Sequence, residues 1–193
     1  MNPKLYEIRA GDTYGSSYAY ATGYAPLADR KSFVHPKMKE RNDEFIKLCG
    51  SRPGIEIDSS KRLWPDILFC GGGHVRFFVS QKVVDDLKTE GIELLDVTEF
   101  PIDSIENNKK SRLKLEEAPR YFVVEAASQL KLYIDKEPSN AYKFTYELRN
   151  YTGKDLISNE GYYNHWLFCT QRIVDLAEDK KWTNIEFKPV EPK

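Results

Sequence analysis

A nine-residue segment occurs twice in this chain, and it constrains the fold more than any other feature of the sequence. The first copy, residues 77–85, reads FFVSQKVVD, and the second, residues 167–175, reads LFCTQRIVD. Four of the nine positions are identical, and four more are the pairs Phe/Leu, Ser/Thr, Lys/Arg and Val/Ile. Each copy leads through a polar segment into a second apolar run. The sequence therefore predicts one strand-helix-strand unit, repeated near residues 75–102 and 165–190.

Both copies have the pattern of a strand that leads directly into a helix. Ser80 and Thr170 occupy the position before each helix, where a hydroxyl can accept a hydrogen bond from an unpaired backbone amide. Apolar residues spaced i, i+1 and i+4 predict a one-sided helix over about 81–89. If the strands that flank a helix are parallel neighbours, we expect a right-handed crossover. We interpret Ser80 and Thr170 as helix caps rather than as duplicated nucleophiles.

The remaining apolar runs predict an α+β fold, or a mixed α/β fold, with mixed sheets and few short helices. The segment 37–49 has the spacing of a short amphipathic helix, and 105–117 is a polar segment. Alternating apolar residues predict further strands at 5–8, 55–57, 121–124, 130–134 and 142–148. We therefore predict a single domain over 1–193, or, as the alternative, two lobes, 1–104 and 118–193, joined by the polar segment.

Composition argues against several classes of function. The 29 basic and 30 acidic side chains are balanced, which argues against the basic footprint of a nucleic-acid-binding protein. No run approaches the roughly 18 apolar residues that span a bilayer, and residues 1–6 lack the apolar core of a signal peptide. The 3 cysteines are odd in number and widely spaced, as expected for reduced thiols. We predict a cytoplasmic protein without a membrane partner.

Four tyrosines in a segment rich in small residues are the first candidates for binding a partner: Tyr14, Tyr18, Tyr20 and Tyr24. Such rings can stack on a sugar or a base, or anchor a protein partner, at little cost in side-chain entropy. The alternative is that they pack against the sheet.

Acidic side chains in and after the polar segment are a second set of candidates, because they can face a basic partner: Glu106, Glu116 and Glu117. A solvated surface is the simpler interpretation of each of them.

Residues 70–74 are the segment closest to a catalytic pattern. Cys70 and His74 can form the nucleophile and base of a hydrolase or transferase, or be a buried cysteine beside a loop histidine. Between them, Gly71, Gly72 and Gly73 precede a predicted strand, whereas phosphate loops open a helix. The three histidines match no zinc-binding spacing. We predict a flexible turn here and no catalytic residue, metal or cofactor.

The Trp64-Pro65-Asp66 segment, the glycine turn and the strand-to-helix segment 78–84 resemble a known family. It comprises bacterial immunity proteins of polymorphic toxin systems, in the group numbered 43 and its relative numbered 11, formerly a domain of unknown function. The closing segments 166–169 and 182–187, which include Trp182, are similar to that group as well.

The resemblance implies a non-enzymatic cytoplasmic protein that binds and neutralises a cognate toxin. Some relatives carry two Cys-x-x-Cys-Gly motifs suited to zinc, and this sequence carries none, so no metal is implied here. The family's motif residues are structural, and they do not specify which residues face the toxin.

Overall fold

The computed structural model describes residues 3–11, 17–24, 54–58, 62–70, 77–105, 112–136, 142–148, 151–159 and 162–193. Several residues singled out above lie outside these ranges: the predicted helix at 37–49, Tyr14, Gly71, Gly72, Gly73, His74 and Glu106.

The described ranges contain mostly strands, with two α-helices and one short 3-10 helix. In chain order the elements are β1 (Leu5–Ala10), β2 (Tyr20–Tyr24), β3 (Ile55–Ile57), β4 (Ile67–Cys70), β5 (Phe77–Ser80), α1 (Gln81–Thr89), β6 (Leu94–Phe100), β7 (Ile102–Ile105), the 3-10 helix (Leu115–Glu117), β8 (Tyr121–Ala126), β9 (Ser128–Lys136), β10 (Tyr142–Glu147), β11 (Leu156–Asn159), β12 (Tyr162–Thr170), α2 (Gln171–Asp179) and β13 (Ile185–Pro192). Strands predominate and both parallel and antiparallel pairs occur, which agrees with the predicted α+β class.

Six strands form a closed barrel in the order β1-β12-β11-β9-β10-β13. The ring closes because β1 pairs along its whole length with β13, and β10 pairs in parallel with the end of β13. Successive residues of a strand point to opposite faces, so every second side chain points inward. Leu5, Ile157, Phe168 and Val190 are among the buried residues that fill this interior.

The other seven strands form a second sheet in the order β6-β8-β5-β4-β2-β3-β7. Its first and last strands are consecutive in the chain and separated only by Pro101, whose carbonyl accepts a hydrogen bond from the Ile55 amide at 2.8 Å. This sheet therefore also curves around a core of its own. Leu68, Phe78 and Tyr121 belong to that core.

The barrel is not made of one contiguous stretch of chain, whereas the seven-stranded sheet is made of the consecutive strands β2 to β8. The N-terminal strand β1 belongs to the barrel built from C-terminal strands, whereas β8 lies between β5 and β6 of the other sheet. The choice between one domain and two lobes stays a prediction. Strand β1 of the first predicted lobe lies in the barrel and β8 of the second lies in the seven-stranded sheet, which favours one domain. The polar segment 105–117 is not wholly solvated, because its residues Ile105 and Leu113 are buried.

The largest hydrophobic cluster contains both helices and the outward-facing residues of both sheets. Helix α1 has the predicted boundaries, 81–89, and it buries Val83, Val84 and Leu87. Helix α2 buries a matching set that includes Ile173 and Val174. Strands β4, β5, β8 and β12 have apolar, buried side chains on both faces. One face packs against the core of the strand's own sheet, and the other packs against this shared cluster.

The strands that flank each helix are not neighbours in a sheet. Strand β8 lies between β5 and β6 and is antiparallel to both, and β1 lies in the same way between β12 and β13. The condition for the expected crossover between parallel neighbours is therefore not met. Both α-helices of the described ranges have 9 residues, and neither is long enough to cross a membrane.

Candidate functional site

The Trp64-Pro65-Asp66 segment forms a buried corner directly before β4. The Tyr121 hydroxyl donates a hydrogen bond of 2.6 Å to the Pro65 carbonyl. Burial, followed by the nearby charge of Asp66, raises the pKa of Tyr121, which keeps the hydroxyl protonated as a donor. Trp64 packs on the same core. Its indole nitrogen is buried and has no hydrogen-bond partner among the described residues.

The carboxylate of Asp66 accepts hydrogen bonds from two separate parts of the chain. Ser80 Oγ lies 3.0 Å from Oδ1, and Lys82 Nζ lies 3.0 Å from Oδ2. The backbone amide and the hydroxyl of Thr183 donate to Oδ2 at 3.0 and 3.1 Å. Asp66 thus joins β4 to the start of α1 and to the turn that follows α2.

The pKa of Asp66 is set by two opposing effects. Burial is the largest and would raise the pKa, but hydrogen bonds from the Thr183 amide, Lys82 and Ser80 together lower it below its usual value. The carboxylate therefore stays ionised and saturated with donors at neutral pH. Such a group stabilises structure and is poorly suited to accept a proton from a substrate.

Asp155, directly before β11, makes the corresponding contacts in the other half of the chain. The Thr170 hydroxyl donates to its Oδ1 at 2.6 Å, and Arg172 donates to its Oδ2 at 2.9 Å. The backbone matches as well, because the Thr170 amide donates to the Asp155 carbonyl at 3.0 Å and the Ser80 amide to the Asp66 carbonyl at 2.8 Å. Two aspartates therefore fix the starts of the two helices.

The predicted pair of helix caps is confirmed for Ser80 and is wrong for the Thr170 side chain. Ser80 Oγ accepts a bond from the Val83 amide at 3.5 Å, the long limit for such a bond. Thr170 occupies the N-cap position, but its side chain makes no capping hydrogen bond. Its hydroxyl donates to the Asp155 carboxylate, a strong hydrogen bond because the acceptor is charged, and this bond fixes the orientation of the side chain.

Trp182 links the two helices. Its indole nitrogen donates to Asp86 Oδ2 of α1 at 2.7 Å, and its side chain lies in the shared cluster. Arg172 of α2 also donates to the Glu90 carbonyl at the end of α1. Trp182, one of the residues that carry the family resemblance, therefore makes a structural contact.

The described cysteines are inside the protein. Cys70 is 4% exposed in the core of the seven-stranded sheet, and Cys169 is fully buried. Burial, followed by the charge of Asp155, raises the pKa of the Cys169 thiol. A thiol must be accessible and become a thiolate to act as a nucleophile, so these positions fit structural cysteines.

Part of the tyrosine segment lies on the outer side of the seven-stranded sheet. Ala19 and Ala21 are buried in the core, so the alternate residues Tyr18 and Tyr20 point outward and are half-buried. The Tyr20 hydroxyl donates to Asp58 Oδ2 at 2.7 Å. Tyr18 pairs through its backbone with Leu63, whose side chain is 50% exposed.

The other candidates occupy different elements. Tyr24 is the last residue of β2, and its side chain lies outside the described part of the structure. Glu116 and Glu117 are exposed on the 3-10 helix, where Lys114 forms an ion pair of 2.9 Å with Glu117. Within the described ranges no cluster of three or more His, Cys, Asp or Glu residues could hold a metal ion.

The sequence-based expectations missed the outer side of β6 from Leu94 to Thr98, which we call the β6 edge. Strand β6 is the end strand of its sheet, and Leu95 on it is 62% exposed. One signal was present in the sequence, because residues 91–106 contain five acidic residues and neither Lys nor Arg.

Comparison with known proteins gives no assignment, since no protein-family model matches the chain and no curated protein matches it significantly.

Proposed function

We propose that this chain is a cytoplasmic, non-enzymatic immunity protein that binds and neutralises a cognate bacterial toxin, as its sequence resemblance implies. The observation that carries the proposal is the use made of the motif residues. The Asp66 carboxylate, the Pro65 carbonyl and the Trp182 indole are all engaged in contacts that hold the scaffold together. A protein whose distinctive residues build a scaffold acts through the surfaces that the scaffold presents.

We further propose that the two strand-helix-strand segments are copies of one unit. Support comes from the matched contacts of Asp66 and Asp155 and from the ladders beside them. In the seven-stranded sheet Phe100 lies opposite Tyr121, and in the barrel Val190 lies opposite Leu5 in the same way. A constant offset of 90 residues relates Ser80 to Thr170 and Phe100 to Val190. The proposed copies share core and clamp residues, as expected of a duplicated scaffold.

Neutralisation would follow from occlusion of the toxin. Aromatic and leucine side chains on the surface can anchor a partner, and acidic groups around them can speed association with a basic one. Leu63, with the half-buried Tyr18 paired to it, supplies an anchor of this kind, and Glu116 adds acidic charge elsewhere on the surface. Tyr14, Tyr24 and Glu106 stay candidates from the sequence alone.

The alternative functions have less support. An enzyme that uses Cys70 as a nucleophile needs that thiol to meet a substrate, and its burial in a hydrophobic core disfavours this. A nucleic-acid or carbohydrate module needs several tyrosine rings that can stack on a ligand. Tyr20 is half-buried, and its hydroxyl is bonded to Asp58. Among the described tyrosines, this alternative therefore has one ring fewer that can stack on a ligand.

Coexpression tests the proposal. The toxin domain encoded beside this chain's gene is induced in a bacterial host with and without the protein, and growth is followed. We expect growth only when the protein is present, and copurification of the protein with an inactive variant of the toxin. Continued killing together with no complex would contradict the proposal.

A further inference from the structure

The β6 edge is an open side of the seven-stranded sheet within the described part of the chain. Strand β6 pairs with β8 on one side, and on the other side Leu94 to Thr98 border no described strand. An end strand presents backbone donors and acceptors that another strand can pair with.

The backbone of Val97 points out from this edge. The Gln81 amide donates to the Arg120 carbonyl, so Arg120 faces β5. Backbone groups alternate in direction along a strand, so Tyr121 and Val123 face β6. Val123 lies opposite Thr98, which therefore faces β8, and its neighbour Val97 faces away from β8.

The equivalent strand of the barrel carries protection that β6 lacks. In the matched ladders, Lys188 and Pro189 of β13 take the places of Thr98 and Glu99. Proline offers no amide hydrogen, and lysine and proline are common devices against unwanted pairing at sheet edges. Between Leu94 and Phe100 the chain has neither residue type. This stretch of β13 is therefore guarded against additional pairing, and the β6 edge is suited to accept a strand.

Charge and apolar exposure indicate what kind of strand would fit. Leu95 is 62% exposed, next to Asp96, and Glu93 precedes the strand. The stretch 91–106 contains five acidic residues and no basic one, although Glu93 is paired with Lys154 and Glu99 with Arg120, so Asp96 supplies the charge at the centre of the edge. A partner strand with alternating basic and apolar side chains would complement this edge in both respects.

We propose that the β6 edge binds a cationic, extended segment of the partner protein, which adds to the sheet as a further strand. This inference rests on the proposed function for the identity of the partner, and it names the way in which that partner is recognised. Backbone hydrogen bonds supply affinity in this mode, and side chains supply selectivity.

A labelled heptapeptide of alternating lysine and valine tests the edge without the toxin. Its binding to the full chain is measured by fluorescence anisotropy, and the exchange of the Val97 amide hydrogen is followed by NMR. We expect saturable binding and at least tenfold slower exchange at Val97. The same peptide methylated on every backbone nitrogen should bind at least tenfold more weakly.

Two variants form a matched pair. Asp96→Lys changes the charge at the β6 edge, and Glu186→Lys makes the same change at the corresponding, exposed position of β13. We expect Asp96→Lys to weaken peptide binding at least tenfold and Glu186→Lys to leave it within twofold. Leu95→Lys, at an exposed side chain, is a second edge variant with the same expected loss.

The outcomes separate this inference from the proposed function. No peptide binding, equal binding of the methylated peptide, or equal loss in both lysine variants would overturn strand addition, even if the protein still neutralises its toxin. Peptide binding with the expected pattern would support the edge, even if the coexpressed toxin still killed its host.

Discussion

Asp66 and Thr183 are bonded to each other three times, although 117 positions separate them in the chain. The Asp66 amide donates to the Thr183 hydroxyl at 2.8 Å, and the amide and hydroxyl of Thr183 donate to the Asp66 carboxylate at 3.0 and 3.1 Å. Next to this pair, Asn184 donates to the Ile67 carbonyl at 2.7 Å. The pair fastens the start of β4 to the turn before β13.

Removal of the Asp66 carboxylate should therefore destabilise the whole fold. Asp66→Ala leaves the Thr183 amide and the Ser80 hydroxyl without their acceptor, and we expect a loss of about 3 kcal/mol in the free energy of unfolding. Urea denaturation measures it. Asp179→Ala is the matched control, because the Asp179 side chain is 73% exposed, and it should change stability by less than about 0.5 kcal/mol. Equal effects of the two substitutions would contradict the clamp.

The contribution of Asp66 should depend on pH in one direction. Its pKa in the folded protein lies below that of an unfolded aspartate, about 3.9. The unfolded state therefore binds more protons, and the stabilisation is complete above the unfolded pKa and is lost as pH falls through the folded pKa. The stability difference between the wild type and Asp66→Asn should be constant from pH 7 to about 5 and shrink toward pH 3. A difference that grows on acidification would contradict the lowered pKa.

Thr170 should respond to substitution as a donor to Asp155. Thr170→Val keeps the shape but removes the hydroxyl, and we expect a loss of about 2 kcal/mol, since a hydrogen bond to a charged group is lost. Thr170→Ser keeps the donor and should lose less than half as much. Chemical denaturation of the three proteins measures both losses. A larger loss for serine than for valine would show that the methyl group, rather than the hydroxyl, makes the main contribution.

Glu7 gives a test inside the barrel. Its side chain is 2% exposed, and Arg9 donates to it through Nε at 2.8 Å. Arg9→Met leaves a buried carboxylate without its cation, so we expect a loss of about 3 kcal/mol. Glu7→Gln combined with Arg9→Met should be more stable than Arg9→Met alone. Additive losses in this double-mutant cycle would contradict the pairing.

The sequence predicted the local elements better than their assembly. Periodicity set the bounds of α1, and alternation located β1, β3, β8 and β10. Strand β11 lies in a stretch that has no regular alternation, and it was not predicted. The placement of β1 in the barrel and of β8 in the seven-stranded sheet, across the boundary of the predicted lobes, depends on pairings between distant residues, which local patterns do not encode.

The register of the strands and the hydrogen-bond partners of the side chains were harder to predict than the elements themselves. Residues 99–101 resemble 186–189 in sequence, but the ladders place Val190, not Phe187, at the position in the barrel that Phe100 holds in the other sheet. Ser80 and Thr170 look equivalent in sequence, and each donates to an aspartate, but of the two only the Ser80 hydroxyl also accepts a bond from its helix. The β6 edge could not be predicted from the sequence, because it depends on which strands pair with β6.

The most direct test of toxin neutralisation is a titration of toxin activity with the purified protein. An immunity protein that acts by occlusion should abolish activity at an equivalence point of one protein per toxin, and active toxin should be recovered when the complex is denatured and separated. Inactivation by a small fraction of one equivalent, with a chemically altered toxin, would indicate an enzyme. Full toxin activity at excess protein would contradict neutralisation itself.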